Sequence, residues 1–78
     1  MTVKVNLNSV EKIQDFVSIV RNASCDCDLI SGRSYLDAKS LLGILSCDIS
    51  KPLQLDIHGT EEESKEIVEM IDKYVLVS

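Results

Sequence analysis

Three cysteines and one histidine are the residues of this 78-residue chain whose chemistry could define a site. Thiolate and imidazole are zinc ligands, and a Cys₃His set is available: Cys25, Cys27, Cys47 and His58. The spacing argues against zinc, because the set lacks a second close pair of ligands. Cys25 and Cys27 lie in an alternating segment, where small thiols on one face pack as hydrophobes. We therefore predict packing and no metal, with a zinc-held structural domain as the alternative.

The cysteines also bear on the cellular compartment. Three cysteines cannot all pair within one chain, and extended residues two apart, such as Cys25 and Cys27, lie ~6.6 Å apart, at the limit of disulfide reach. Reduced thiols in the cytoplasm are the simplest interpretation. No basic region followed by an apolar stretch opens the chain, which predicts no signal peptide. A lone histidine and three isolated glycines provide neither a catalytic triad nor a phosphate-binding loop, so we expect no enzyme.

The strands that must position these residues follow from the hydrophobic period. Four segments alternate apolar and polar residues, as half-buried strands do: 2–8, 25–29, 33–38 and 53–58. Ser31 and Gly32 form a turn pair, which predicts a hairpin over 25–38. His58 lies on the polar parity of the last strand and is expected to face solvent.

Three helices are predicted between and after the strands. The first begins after an N-cap at Ser9 and has an apolar face formed by Val10, Ile13, Phe16, Val17 and Val20. A short second helix spans 41–46. The third follows Thr60, whose capping box with Glu63 explains the acidic run 61–63 without a bound cation. Its predicted buried stripe is Ile67, Val68, Met70, Ile71, Tyr74 and Val75.

The order βαββαβα predicts an α+β fold: a four-stranded antiparallel sheet with helices packed on one face and water on the other. We expect a single domain, 1–78. The longest uncharged run, 40–47, is too short to span a bilayer. Eight basic and thirteen acidic residues give a net charge of −5, so neither nucleic acid nor an anionic membrane is an expected partner.

The short helix at 41–46 is apolar around much of its circumference. One side must meet the sheet, and the other side is left in water unless a neighbouring loop covers it. Contiguous exposed apolar surface usually marks a site for a partner. The sequence leaves two interpretations open, a helix covered by loops and a docking surface.

The segment 37–49, DAKSLLGILSCDI, resembles HPr, the histidine-containing phosphocarrier family of the bacterial sugar phosphotransferase system. The family pattern is Ala-Lys-Ser, two large apolar residues, a small residue, an apolar pair and a loop that ends in an aliphatic residue. The resemblance covers most of the chain, since βαββαβα is also the HPr order. It implies the HPr-like open-faced β-sandwich and no cofactor.

The resemblance fails at the position that carries the phosphate in HPr. The family's histidine caps the first helix and is closely followed by an arginine and a proline, and their places here are held by Ser9, Glu11 and Lys12. A phosphate at Ser9 would still face free helix amides. A serine ester, however, is not the labile phosphoramidate that transfer requires, and Glu11 would repel the phosphate. We therefore predict an HPr-like protein without the phosphorylatable histidine that is not a phosphocarrier.

Ser40 matches the serine that a dedicated ATP-dependent kinase phosphorylates in HPr and its histidine-less paralogues. A phosphate there would be stabilised by Lys39 and the helix dipole, and would place about −1.5 to −2 charges beside the leucines. A plain N-cap is the other interpretation of Ser40. The resemblance further implies a partner-binding surface formed by Lys39, Leu41, Leu42 and Leu45.

The leading hypothesis is a regulatory module that binds protein partners and is switched at Ser40. The partners implied are an HPr kinase, a transcriptional regulator or a component of a transport system. A phosphocarrier with an atypical acceptor and a small ligand-binding, ferredoxin-like domain are the alternatives, and the second of these requires a long second helix. The sequence leaves the oligomeric state open.

Overall fold

The computed structural model describes residues 1–76. Its elements follow the predicted order: β1 (Thr2–Val5), α1 (Val10–Arg21), β2 (Asp26–Ser31), β3 (Ser34–Asp37), α2 (Leu41–Leu45), β4 (Leu53–His58) and α3 (Glu61–Met70). The α+β class is therefore confirmed. α2 has five residues, which is too short for the ferredoxin-like alternative. None of the helices within residues 1–76 is long and apolar enough to cross a bilayer.

The four strands form one antiparallel sheet in the order β1-β4-β2-β3. In this register Leu55 of β4 lies opposite Val3 of β1 and opposite Leu29 of β2. Residues directly opposite each other in antiparallel strands share a face. Because Leu29 and Leu55 are fully buried, this shared face is the inner face of the sheet.

The core lies between the inner face and the three helices. Each helix contributes to it, with Phe16 from α1, Ile44 from α2 and Ile67 from α3 all buried. The predicted face of α1 is confirmed at four positions: Ile13, Phe16, Val17 and Val20. The prediction was wrong for Val10, which is 48% exposed. Val10 is the first residue of the helix, at the end of the buried stripe where its side chain is left uncovered.

The ends of the strands differ from the alternating segments. β1 stops before Leu7, which is nonetheless fully buried as the chain turns into α1. β2 continues to Ser31, so the two residues of the hairpin turn are Gly32 and Arg33, one position later than predicted. Gly32 has a φ of 59°, and a positive φ at the first central position is what a type II′ turn requires.

The last helix is shorter than its periodicity predicts. α3 ends at Met70, whose side chain is 46% exposed, and a 3₁₀ turn follows at Asp72–Tyr74. The Tyr74 hydroxyl donates a hydrogen bond to the Asp15 carboxylate of α1, and Val75 pairs with β1 instead of extending the helix. The prediction was therefore wrong in burying Met70 and in making Val75 helical. The buried members of the predicted stripe are Ile67, Ile71 and Tyr74.

Candidate functional site

Ser40 occupies the N-cap of α2, as the sequence predicts. Its backbone is extended, and its hydroxyl accepts a hydrogen bond from the Gly43 amide at 3.2 Å. Asp37 stabilises the segment before the helix in two ways. Its main-chain carbonyl accepts from the Ser40 amide and its carboxylate accepts from the Lys39 amide, each at 2.9 Å. Ser40 is half-buried, so it caps the helix at a position on the protein surface.

Three leucines of α2 form a surface that we call the α2 patch: Leu41, Leu42 and Leu45. Leu42 is 81% exposed and Leu45 is 39% exposed, whereas Leu41 is half-buried against the core. Ile44 is fully buried and anchors the helix. The loops on either side of α2 leave Leu42 open, so the interpretation in which loops cover this helix was wrong, while the docking surface stays a prediction. Adjacent exposed leucines make a surface suited to a protein partner.

Two basic side chains lie at the N-terminal end of α2. Arg21, in the last turn of α1, donates from Nε to the Lys39 carbonyl at 3.2 Å. The Lys39 ammonium lies 3.5 Å from the Ala23 carbonyl oxygen. Lys39, which the resemblance placed on the partner-binding surface, is half-buried, and its side chain extends back towards the α1–β2 loop. Sequence reasoning missed Arg21, because its contact lies eighteen positions away.

Ser9 caps α1 as predicted. Its backbone is extended, and its hydroxyl accepts from the Lys12 amide at 3.2 Å. The Lys12 ammonium donates to the Asn8 side chain at 2.9 Å, and Glu11 is exposed in the first turn. The structure therefore brings Ser9, Glu11 and Lys12 together at one helix N-terminus. A carboxylate at this end suits the helix dipole but repels any second anion.

His58 lies on the outer face of the sheet, as its parity predicts. Its Nε2 atom lies 2.9 Å from a carboxylate oxygen of Asp28 and 3.6 Å from one of Asp56, and its side chain is 49% exposed. α1 packs on the inner face. The histidine is therefore separated by the sheet from the helix that Ser9 begins.

The three cysteines do not meet the histidine. Cys25 and Cys27 are buried in the core, while Cys47 is half-buried and donates to the Ile44 carbonyl at 3.0 Å. Burial, together with the neighbouring Cys25, raises the pKa of the Cys27 thiol to about 11, which leaves it unreactive at neutral pH. Across residues 1–76 no three His, Cys, Asp or Glu side chains are arranged to hold a metal ion. The packing role predicted for Cys25 and Cys27 is confirmed.

The acidic run at the start of α3 contains the predicted capping box. The Thr60 hydroxyl accepts from the Glu63 amide at 3.1 Å, and the Glu63 carboxylate accepts from the Thr60 amide at 2.9 Å. The sequence did not reveal a further bond, in which the Ser24 hydroxyl donates to Glu63 at 2.7 Å. The bonds from Thr60 and Ser24 hold the pKa of Glu63 below its usual value of 4.5.

We expect the Glu63 carboxylate to contribute to the loss of the protein's stability in acid. Because its pKa is lower in the folded chain, ionised Glu63 stabilises the protein above its usual pKa of 4.5. That contribution is lost as the pH falls through the folded pKa. Urea unfolding from about pH 6 to about pH 3 should show a shallower loss of stability in Glu63→Gln, whose amide oxygen still accepts from Thr60 without titrating. Glu62→Gln removes one charge from the same helical turn and is the matched control; a slope for Glu63→Gln that equals the native slope, or that is no shallower than the slope for Glu62→Gln, would contradict the prediction.

The chain was also compared with known proteins. No family model matches it, and no curated protein sequence matches it significantly. Among solved structures it is similar to the crystal structure of HPr-C-His from Thermoanaerobacter tengcongensis, with 22% sequence identity and a TM-score of 0.74. The match covers 94% of this chain and 92% of that one. The chain therefore has the HPr-like fold, a four-stranded open-faced β-sandwich, as the resemblance implied.

Proposed function

We propose that the protein is a regulatory, protein-binding variant of the HPr fold that is switched by phosphorylation of Ser40 and does not carry phosphoryl groups for sugar uptake. The observation that carries this proposal is the N-cap of α1. The resemblance expects a phosphorylatable histidine there, and the position is held by Ser9, whose hydroxyl caps the helix.

The chemistry of this N-cap supports a function other than phosphotransfer. A phosphoryl group on imidazole nitrogen is labile and can be passed on, whereas a serine phosphate is a stable ester. Glu11 places a negative charge in the same helical turn, and it would raise the cost of holding a phosphate there. His58 offers no substitute, because it lies on the other face of the sheet beside Asp28 and Asp56.

The α2 patch supports the partner-binding half of the proposal. Leu42 and Leu45 are exposed on a helix anchored by buried Ile44, so they are presented on a rigid element. Burial of such side chains against a partner gains about 25 cal/mol per Å² of apolar surface. The partners that we propose are an HPr kinase, a transcriptional regulator or a transport-system component.

The N-cap position of Ser40 supports the switching half. A kinase would transfer the γ-phosphoryl group of ATP to the Ser40 oxygen, so that an O–P bond forms, ADP leaves and the hydroxyl proton is released. The product carries about −1.5 to −2 charges at neutral pH and sits directly before Leu41 of the α2 patch. A charge there changes which partner surfaces are complementary to the patch.

The test measures the intact mass of the chain after incubation with an HPr kinase and ATP. We expect one phosphate on the native chain and none on Ser40→Ala. A parallel reaction with enzyme I and phosphoenolpyruvate should leave the chain without an acid-labile phosphate. A native chain that the kinase leaves unmodified would reduce Ser40 to a helix cap, and a labile phosphate from enzyme I would restore the phosphocarrier alternative.

A further inference from the structure

Arg21 is a basic residue of α1 whose guanidinium lies beside the backbone of Ser40. Its Nε atom donates to the Lys39 carbonyl oxygen at 3.2 Å. That oxygen and the Cα of Ser40 belong to the same planar peptide unit, so the guanidinium lies beside the Ser40 backbone. We propose that Arg21 binds the phosphate of phosphorylated Ser40 and thereby clamps α2 to the end of α1. The inference rests on the proposed phosphorylation of Ser40.

The donors of Arg21 fit this role. A guanidinium presents five N–H donors in a planar fork that matches phosphate oxygens. The Lys39 carbonyl occupies Nε, which leaves the two Nη groups as donors within the part of the chain that the structure describes. Within residues 1–76 the Ser40 Oγ atom has one hydrogen-bond partner, the Gly43 amide at 3.2 Å, and a phosphate on this oxygen adds three strong acceptor oxygens.

The other charged groups at this point favour Arg21 over Lys39 as the partner. The Lys39 ammonium is directed towards the Ala23 carbonyl, at 3.5 Å. The Asp37 carboxylate accepts from the Lys39 amide at 2.9 Å and repels a phosphate. Arg21 reaches the site from a different element and is already ordered on the Lys39 carbonyl, so pairing loses little further conformational freedom.

Arg21 also interacts with the dipole of α1, and the test must distinguish this role from binding of the phosphate. It lies in the last turn of α1, where a cation complements the negative end of the helix dipole. That role does not depend on the phosphate, and it predicts that Arg21→Gln lowers the stability of both forms equally. A clamp predicts an effect on the phosphate group itself.

The experiment uses the full chain made by chemical synthesis with phosphoserine at residue 40, so that it does not depend on a kinase. A ³¹P NMR titration then measures the second pKa of the phosphate, which is about 6 in free phosphoserine. A paired cation favours the dianion and lowers this pKa. We expect Arg21→Gln to raise it by about 0.5, and Arg21→Lys to give an intermediate value because the fork is lost.

Lys39→Gln is the matched control and should move the phosphate pKa less than Arg21→Gln does. Equal pKa values for the native chain and Arg21→Gln, or a larger change in Lys39→Gln, would overturn the clamp. Circular dichroism of each variant confirms that it is folded before titration. A kinase that leaves Ser40 unmodified would overturn the proposed function without altering this titration, so the two failures are distinguishable.

Discussion

Phe16→Ala is expected to destabilise the protein by about 3–5 kcal/mol. Phe16 is fully buried in α1, and its ring meets the ring of Tyr74 edge-on, with centroids 6.4 Å apart. Truncation removes both the buried apolar surface and this aromatic contact, and it leaves a cavity between α1 and its neighbours. A domain of this size has a total stability of about 4–12 kcal/mol, so the variant should be largely unfolded in moderate urea.

Urea unfolding followed by circular dichroism measures this loss. Val10→Ala, on the same helix but 48% exposed, is the control and should change the free energy of unfolding by no more than about 0.5 kcal/mol. Phe16→Leu retains part of the apolar volume, so its loss of unfolding free energy should lie between those of Val10→Ala and Phe16→Ala. A loss of less than about 1 kcal/mol in Phe16→Ala would contradict the position of this ring in the core.

Leu42→Glu is expected to slow the phosphorylation of Ser40 by an HPr kinase at least about tenfold. Leu42 is 81% exposed, so the substitution should leave the stability of the fold nearly unchanged. If the kinase covers the α2 patch, however, a carboxylate must be buried where a leucine packed. Loss of one such anchor costs about 1.4 kcal/mol or more, which is a factor of ten in affinity.

Initial rates with kinase and ATP measure this effect, with thermal unfolding as the check on the fold. Met70→Glu is the matched control, because Met70 is also exposed but lies at the end of α3, and its rate should stay native. If Leu42→Glu is phosphorylated as fast as the native chain, the α2 patch takes no part in kinase docking. If the phosphorylation of Met70→Glu is slowed equally, the slower rate is due to the added charge and not to its position.

The parts of the fold that could be predicted are those that depend on local sequence. Burial on one side of an element imposes a period, so Ile13, Phe16 and Val20 identified the inner face of α1, and Leu55 identified the inner parity of β4. N-caps are equally local. The N-cap hydroxyl of each α-helix accepts a hydrogen bond from the main-chain amide three residues ahead, as at Ser9, Ser40 and Thr60. Donor and acceptor are separated by one turn of chain, so the pair can be recognised in the sequence.

The parts that could not be predicted depend on contacts between distant residues. The apolar period of α3 continues in the sequence through Val75, yet the Asp15–Tyr74 bond joins residues fifty-nine positions apart and holds the chain in a different path. The Asn6 amide donates to the Tyr74 carbonyl at 2.8 Å, and the Leu76 amide donates to the Lys4 carbonyl at 2.9 Å. These main-chain bonds to the β1 segment are available only in the folded protein.

The candidate site divides in the same way. The caps at Ser9 and Ser40 followed from the sequence. The exposure of Leu42 and the hydrogen bond from Arg21 to the Lys39 carbonyl depend on how α2 packs against the rest of the chain, so they required the structure. The resemblance supplied the HPr-like fold, which the structure confirms. The switch at Ser40 stays a prediction, which the intact mass of the chain after incubation with an HPr kinase and ATP tests.

The central place of β4 in the sheet has a consequence for how the chain folds as it is synthesised. The β2–β3 hairpin can close through its own turn as soon as residue 37 has left the ribosome. β1 is made earlier, yet its partners are β4 and Val75. The nascent chain must therefore hold β1 unpaired, with Val3 and Val5 open to other strands, until β4 has emerged. The pairing of β1 with the sheet is thus a later event than closure of the β2–β3 hairpin.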